Sequence, residues 1–185
     1  MFEEIKKDVM KRMDQAIEHT RVELTKVRTG RANPDILNSV KIEYYGSMMP
    51  LNQVSTISVP EPRLITLQPF EKSLIPEIEK AIMDSNLGLT PNNNGNSVLL
   101  PIPPLSEERR KDLIKYVHQL IEESRIAVRN IRRDAIHHIK DSGKEEHVSE
   151  DEIHRQEVEI QTLTDSHISS LNEMQDNKEK ELLDN

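Results

Sequence analysis

The sequence predicts an α+β fold: an elongated three-helix bundle with a small β/α/β domain inserted into it, joined by a two-strand hinge. Three observations carry that reading. Three long segments each show one apolar stripe at helical spacing, so none is stable until the stripes close on one another. All ten prolines, from Pro34 to Pro104, fall between the first and second of these segments. The composition is 35% hydrophobic, 31% charged and 3% aromatic. That balance suits slender helices around an aliphatic core rather than a thick globule.

The first helix carries Phe2, Ile5, Val9, Met13, Ala16, Thr20, Leu24 and Val27 in steps of three or four. It stops at Thr29-Gly30, where glycine is the usual terminator. The period then changes. Val40, Ile42 and Tyr44 alternate, Val54 to Val59 do so less cleanly, and Leu64-Ile65-Thr66-Leu67 reads as a strand. SMMP, residues 47–50, falls in a loop. Ser73 caps a short helix through Met83, with Pro76 in its first turn and Gly88 beyond its end. NNNGN, residues 92–96, is a turn, since Asn and Gly tolerate positive φ. NSVLLPI, residues 96–102, is the last strand of the insert.

Residues 106–141 form the second helix, with Ile114, Val117, Ile121, Ser124, Val128, Ile131, Ala135 and Ile139 on its stripe. Ser106 is its N-cap, Glu107 and Glu108 complement the helix dipole, and Gly143 is its stop. The third helix spans 149–183. Ser149 and Glu152 make a capping box, with Val148 and Ile153 stapled across it. Its row is Ile153, Ile160, Leu163, His167, Leu171, Met174 and Leu182. The bundle therefore comprises 1–29 and 105–185, and the inserted domain 31–104. The chain crosses between them at Thr29-Gly30-Arg31 and at Pro101-Ile102-Pro103-Pro104-Leu105. One flexible and one stiff crossing describe a hinge.

Charge is unevenly placed. Residues 144–185 hold thirteen acids and four bases, a net of −9, which leaves +1 for residues 1–143 of a chain whose total is −8. RIAVRNIRRDA, residues 125–135, gathers Arg125, Arg129, Arg132 and Arg133 with no acid between the first and the last. A helix advances about 100° per residue. With Arg125 at zero, the apolar stripe centres near about −80°, Arg132 near about −20°, Arg129 near about 40° and Arg133 near about 80°. Lys111, Lys115, His118 and Lys140 share that sector, where Glu122 is the sole acid beyond the first turn of the helix. Arg21 and Arg28, seven apart, repeat the pattern on the first helix, and Arg31 follows the hinge glycine. Such a face suits a polyanion, and guanidinium forks suit phosphate and stacked bases. Two alternatives stand beside this: the arginines lay their stems on the core and pair with acids of the third helix, or they make salt bridges to a protein partner, as in a helical adaptor.

Other chemistry has little purchase. Cysteine is absent, which excludes disulfides, thiol catalysis and cysteine-ligated metal. No apolar run approaches a membrane span, and MFEEIKKDVMKRMDQ has neither signal-peptide nor transit-peptide character. A soluble, cytoplasmic chain is expected. His137-His138 with Asp134, and His147 with His154, are fragments of a metal site without a converging triad. His167 reads as a packed, hydrogen-bonded histidine. No phosphate-binding loop, dinucleotide turn or nucleophile elbow occurs. The chain is expected to be no enzyme, with no cofactor and no metal.

KVRTGRANPDIL, IEYYGSMMPLNQVSTISVPEPR, EKAIMDSNLGLTPNNNG, LSEERRKDLIKYV and AVRNIRRDA, in this order and spacing, resemble the ribosome recycling factor family over essentially the whole chain. The resemblance implies a factor that binds the post-termination ribosome with elongation factor G. That partner's GTP hydrolysis then splits the subunits and frees messenger RNA and deacylated tRNA. It implies that the rod contacts rRNA, mainly of the large subunit, through Arg28, Arg31, Arg110, Arg129, Arg132 and Arg133, with Arg125 a weaker addition. It also implies that the insert swings about the hinge toward the elongation factor, and that the chain is a monomer with no membrane partner. Two departures stand out: HHIKDSGKEEHVSE is poorer in lysine than the family pattern, and SMMP places two methionines where smaller or more polar residues are usual.

Overall fold

The computed structural model describes residues 1–184. In chain order the elements are α1 (Phe2–Thr25), β1 (Lys41–Tyr44), β2 (Ser47–Pro50), α2 (Leu51–Val54), β3 (Ser55–Glu61), β4 (Leu64–Pro69), α3 (Ile75–Asp84), β5 (Asn92–Asn93), β6 (Val98–Pro101), α4 (Glu107–Glu145) and α5 (Glu150–Leu183). Two 3₁₀ turns, Pro34–Leu37 and Lys72–Leu74, complete the set. The chain divides into two compact units, Met1–Arg28 with Glu107–Asp184, and Thr29–Ser106.

The first unit is a three-helix bundle in which α4 packs on both α1 and α5, and α1 packs on α5. At about 1.5 Å per residue, α4 is roughly 58 Å long. Met13, Val117, Ile121, Val128, Ile139, Ile160, Leu171 and Leu182 are essentially inaccessible. Each such aliphatic side chain contributes about 1.5–3 kcal/mol by burial. The stripes differ from the sequence reading by single steps. Ile17 is buried where Ala16 is half-buried, and Leu113 is buried where Ile114 is half-buried. Each is four residues from a buried neighbour, Met13 or Val117, so the stripe follows the steps of four.

Polar residues also enter this core. Thr20, Ser124, Gln156 and Thr164 are buried. The Thr164 hydroxyl donates to the Ile160 carbonyl at 2.8 Å, so its burial strands no donor. Gln156 Nε2 donates to Glu152 Oε1 at 2.8 Å. In the predicted row of the third helix, Ile153, Leu163, His167 and Met174 are only half-buried.

The helix ends differ from those the sequence predicts. α1 stops at Thr25, short of Thr29-Gly30, where the Lys26 and Val27 N–H groups turn to carbonyls three residues back. α4 passes through Gly143 and ends at Glu145. Gly143 is there because a Cβ would stand 2.7 Å from Ile153 Cδ1 and Cγ1 at the start of α5. The left-handed terminator is His147, with φ +56°. Its N–H donates to the Lys144 carbonyl at 3.2 Å and the Val148 N–H donates to Gly143 at 2.8 Å, the two bonds of a Schellman cap. Ser149 Oγ accepts the Glu152 N–H at 3.3 Å, as the capping box predicts.

In the second unit β3, β4, β6 and β5 form an antiparallel sheet in the order β3-β4-β6-β5, and β1 and β2 form a separate hairpin. SMMP is therefore a strand rather than a loop: Met49 pairs with Ile42 and Met48 with Glu43. Tyr45 and Gly46 turn the hairpin with φ of +50° and +80°, the pattern of a type I′ turn. Tyr45 is an uncommon residue for that position, which is why the pattern reads poorly in sequence. Ser73 does not cap α3, whose N-cap is Leu74 with no side-chain bond; the 3₁₀ turn leads straight into it. Ile65, Leu67, Ile78, Val98 and Leu100 have no accessible surface, and α3 lays Ile75, Ile78 and Ile82 on the same core. No helix among the described residues is long and apolar enough to cross a membrane.

Candidate nucleic-acid interface

The core stripe fixes the rotation of α4 and so aims its basic sector away from the bundle axis. Within that sector the arginines behave differently from one another. Arg125 keeps 19% of its side-chain surface accessible. Its Nε and Nη2 donate to Asn172 Oδ1 at 3.0 and 2.6 Å, Nη2 also reaches Gln175 Oε1 at 3.1 Å, and Nη1 donates to Glu122 at 3.0 Å. Arg132 is half-buried and donates through Nη1 to Gln161 Oε1 at 3.1 Å. Both are thus laid against α5. Arg129 is 44% accessible and meets only Glu122, at 3.3 Å. Arg133 is exposed and makes no hydrogen bond or ion pair among the described residues.

Glu122 sits between two of these cations. Hydrogen bonds from Arg125, then from Arg129, hold its carboxyl below the ordinary carboxylate range. Beyond the first turn of α4, helix geometry predicts Glu122 as the one acid of the face, yet α5 lends two more. Glu179 bonds His118, and Glu157 reaches Lys140 at 3.0 Å. Lys111 pairs with Glu107 at 3.3 Å, within its own helix. The face is therefore partly neutralised toward both ends and keeps outward charge at Lys115, Arg129 and Arg133. Those cross-helix acids could not be placed from the α4 sequence.

On α1, Arg21 pairs with Glu18 at 2.5 Å, so it is held within its own helix. Arg28 lies beyond the helix end, exposed and without a hydrogen-bond or ion-pair partner among the described residues. The two do not share one helical stripe. Arg110 is half-buried near the start of α4, Arg31 is exposed, and both are engaged by other groups.

The crossings have distinct local structure. Gly30 is buried at φ +79°, and a Cβ there would meet Leu105 Cγ at 3.3 Å. Thr29 and Leu105 are half-buried, and Pro103 and Pro104 are exposed. Pro101 ends β6, and the Ile102 N–H donates to the Arg63 carbonyl at 2.8 Å. The Ala32 N–H donates to Pro62, the residue before Arg63, at 2.7 Å.

The histidines are dispersed. His137 pairs with Asp141 at 3.2 Å and His154 with Glu157 at 3.7 Å. His167 bonds the Leu163 carbonyl at 2.7 Å and Asp14 Oδ1 at 2.8 Å, which makes it a packed residue of the α1–α5 contact. Among the described residues no three His, Asp or Glu side chains converge as a metal site.

Comparison with known proteins gives one consistent result. The family model described as ribosome recycling factor matches residues 20–183. The ribosome-recycling factor of Shouchella clausii is 47% identical over 184 residues, covering 100% of both chains. That of Halalkalibacterium halodurans is 48% identical over 184 residues, again with 100% of both covered. A solution structure of the ribosome recycling factor superposes with a TM-score of 0.73 at 40% identity, covering 100% of this chain and 98% of that one. The T. thermophilus ribosome recycling factor, in a structure with E. coli elongation factor G bound to the E. coli post-termination complex, gives a TM-score of 0.64 at 45% identity, with 99% of each chain covered. With its three-helix bundle, its inserted β unit and full-length identity near one half, the chain belongs to the ribosome recycling factor family.

Proposed function

We propose that this chain binds the post-termination ribosome in the cytoplasm and, with elongation factor G, splits the subunits so that messenger RNA and deacylated tRNA leave. The chain supplies binding and mechanics, and GTP hydrolysis belongs to the partner; the chain itself is no enzyme and acts as a monomer. The observation that carries the reading is the outward-facing centre of the α4 basic sector, Arg129 and Arg133, on a bundle that belongs to this family. In this reading Arg28, Arg31, Arg110, Arg129, Arg132 and Arg133 engage rRNA phosphates and bases, mainly of the large subunit, with Arg125 secondary. The bundle (1–29 and 105–185) and the insert (31–104) move about the crossings 29–31 and 101–105. The insert is the part that meets the elongation factor. A helical adaptor would instead use the arginines for salt bridges to a protein partner, a role that Arg125 cannot fill while its four bonds stay inside the bundle.

The test is a subunit-splitting assay with purified ribosomes, elongation factor G and GTP, comparing the natural chain with one lengthened between Pro103 and Pro104. The expected outcome is splitting that requires both the factor and GTP, with the lengthened chain binding normally and splitting slowly. Normal splitting by the lengthened chain would remove the hinge from the mechanism. No splitting by the natural chain would remove the function.

A further inference from the structure

The sequence NNNGN between β5 and β6 has a chemistry that the recycling function does not use. Asn94 is exposed and is followed by Gly95, which has no Cβ to shield its backbone nitrogen and sits at φ +88°. The turn uses Asn94 as an acceptor: its Oδ1 receives the Asn96 N–H at 3.0 Å and the Ser97 N–H at 2.8 Å. Its Nδ2 makes no hydrogen bond among the described residues. Asn93 uses both ends of its amide. Nδ2 donates to Glu79 at 2.5 Å, and Oδ1 accepts the Gly95 N–H at 3.1 Å. Asn92 is held in the ladder opposite Leu99.

We propose that Asn94 is a site of spontaneous deamidation, and that the turn is built to accept the aspartate it yields. The Gly95 nitrogen gives up its proton to solvent and bonds to Asn94 Cγ. The bond from Cγ to Nδ2 breaks, and the amide nitrogen leaves as ammonia. Water then opens the cyclic imide at one of its two carbonyls, giving aspartate or isoaspartate. The net change is one water consumed and one ammonia released. The aspartate keeps the acceptor role and makes it charge-assisted toward two N–H groups. The isoaspartate lengthens the backbone by one carbon where β5 is just two residues long, and it breaks that register. The Gly95-to-Asn93 bond opposes the attack, so it sets the rate. Asn93 is the wrong residue to convert, because a carboxylate there would face Glu79.

The experiment is peptide mapping of the full-length chain after incubation above neutral pH, with fragmentation to locate the amide-to-acid mass increment and an isoaspartate-specific methyltransferase label. The expected result is modification at Asn94 in preference to Asn92, Asn93 and Asn96. It should run slower than in a free peptide of the same sequence and several-fold faster in Asn93→Ala, which removes the bond holding the Gly95 N–H. Asn94→Gln should abolish the increment at this turn. Asn94→Asp should melt no lower than the natural chain, and Asn93→Asp should melt lower. The proposal is overturned if Asn94 stays intact while the free peptide converts, if Asn93→Ala leaves the rate unchanged, or if Asn94→Asp melts well below the natural chain.

Discussion

Arg125 and Arg133 lie on the same helix, eight residues apart, and should respond oppositely to truncation. Arg125→Ala removes the bonds to Asn172, Gln175 and Glu122. Bonds from a charged donor contribute up to about 1.5–3 kcal/mol each, but these acceptors rehydrate at the bundle surface. The discounted total is about 1–2 kcal/mol, or a fall in Tm of about 2–8 °C for a chain of this size. Arg133 has no hydrogen-bond or ion-pair partner to lose among the described residues, so Arg133→Ala should change stability by less than about 0.5 kcal/mol. Ribosome binding should show the reverse. Losing one phosphate contact flattens the slope of log affinity against log salt by about 0.7–0.9. Arg133→Ala should show that flattening, and Arg125→Ala should show little of it, because its guanidinium is already committed to α5. Helical circular dichroism on melting and sedimentation binding at several salt concentrations read the two effects separately. A flattened slope with unchanged melting in Arg125→Ala, or the converse in Arg133→Ala, would refute the division between packing and contact arginines.

Three further perturbations test other features. Glu122→Gln should tighten ribosome binding and steepen its salt dependence by releasing Arg129. The Glu122 carboxyl is depressed in the fold, so its pairs persist above the unfolded value and are lost as pH falls through the folded one; its NMR titration midpoint should lie below the ordinary range and rise in Arg125→Ala. Gly143→Ala gains about 1 kcal/mol of helix propensity but places a Cβ 2.7 Å from Ile153, where overpacking costs about 1–3 kcal/mol. It should destabilise the bundle, and in an Ile153→Ala background the same change should stabilise it; stabilisation in the natural background would show that α5 yields freely. His147→Gly should raise Tm, since glycine takes the left-handed cap without strain, by an amount worth up to about 1 kcal/mol.

The helices were legible because a stripe repeated over thirty residues outweighs any local ambiguity, and Ser149 with Glu152 marks one start unambiguously. The stops were harder to read. Gly143 has two competing uses, terminator and close contact, and only the approach of Ile153 from α5 decides between them. The β1–β2 hairpin is hard to read in the sequence because Tyr45-Gly46 does not announce a type I′ turn as Asn-Gly would. On α4, angular position locates the basic sector but not the state of each arginine. Asn172 and Gln175 lie 47 and 50 residues beyond Arg125, and no periodicity within α4 points to them. The seven-residue spacing from Arg21 puts Arg28 on a helical stripe, but the helix ends at Thr25.

The paired bonds of Ala32 to Pro62 and of Ile102 to Arg63 bear on how the chain folds. α1 is made first and finds its helical partners only after Thr29–Ser106 has been synthesised, on the order of ten seconds later. Joining its ends across an unstructured loop of that length would cost about 4 kcal/mol beyond the fixed cost of closure. An insert that is already folded removes most of that cost. Its two ends are then tied to adjacent residues of one β3–β4 turn, which closes the long loop before α1 meets α4 and α5. Substitutions that weaken the insert should therefore slow the docking of α1, far from where they act, and leave the local α4–α5 hairpin to form at its own rate.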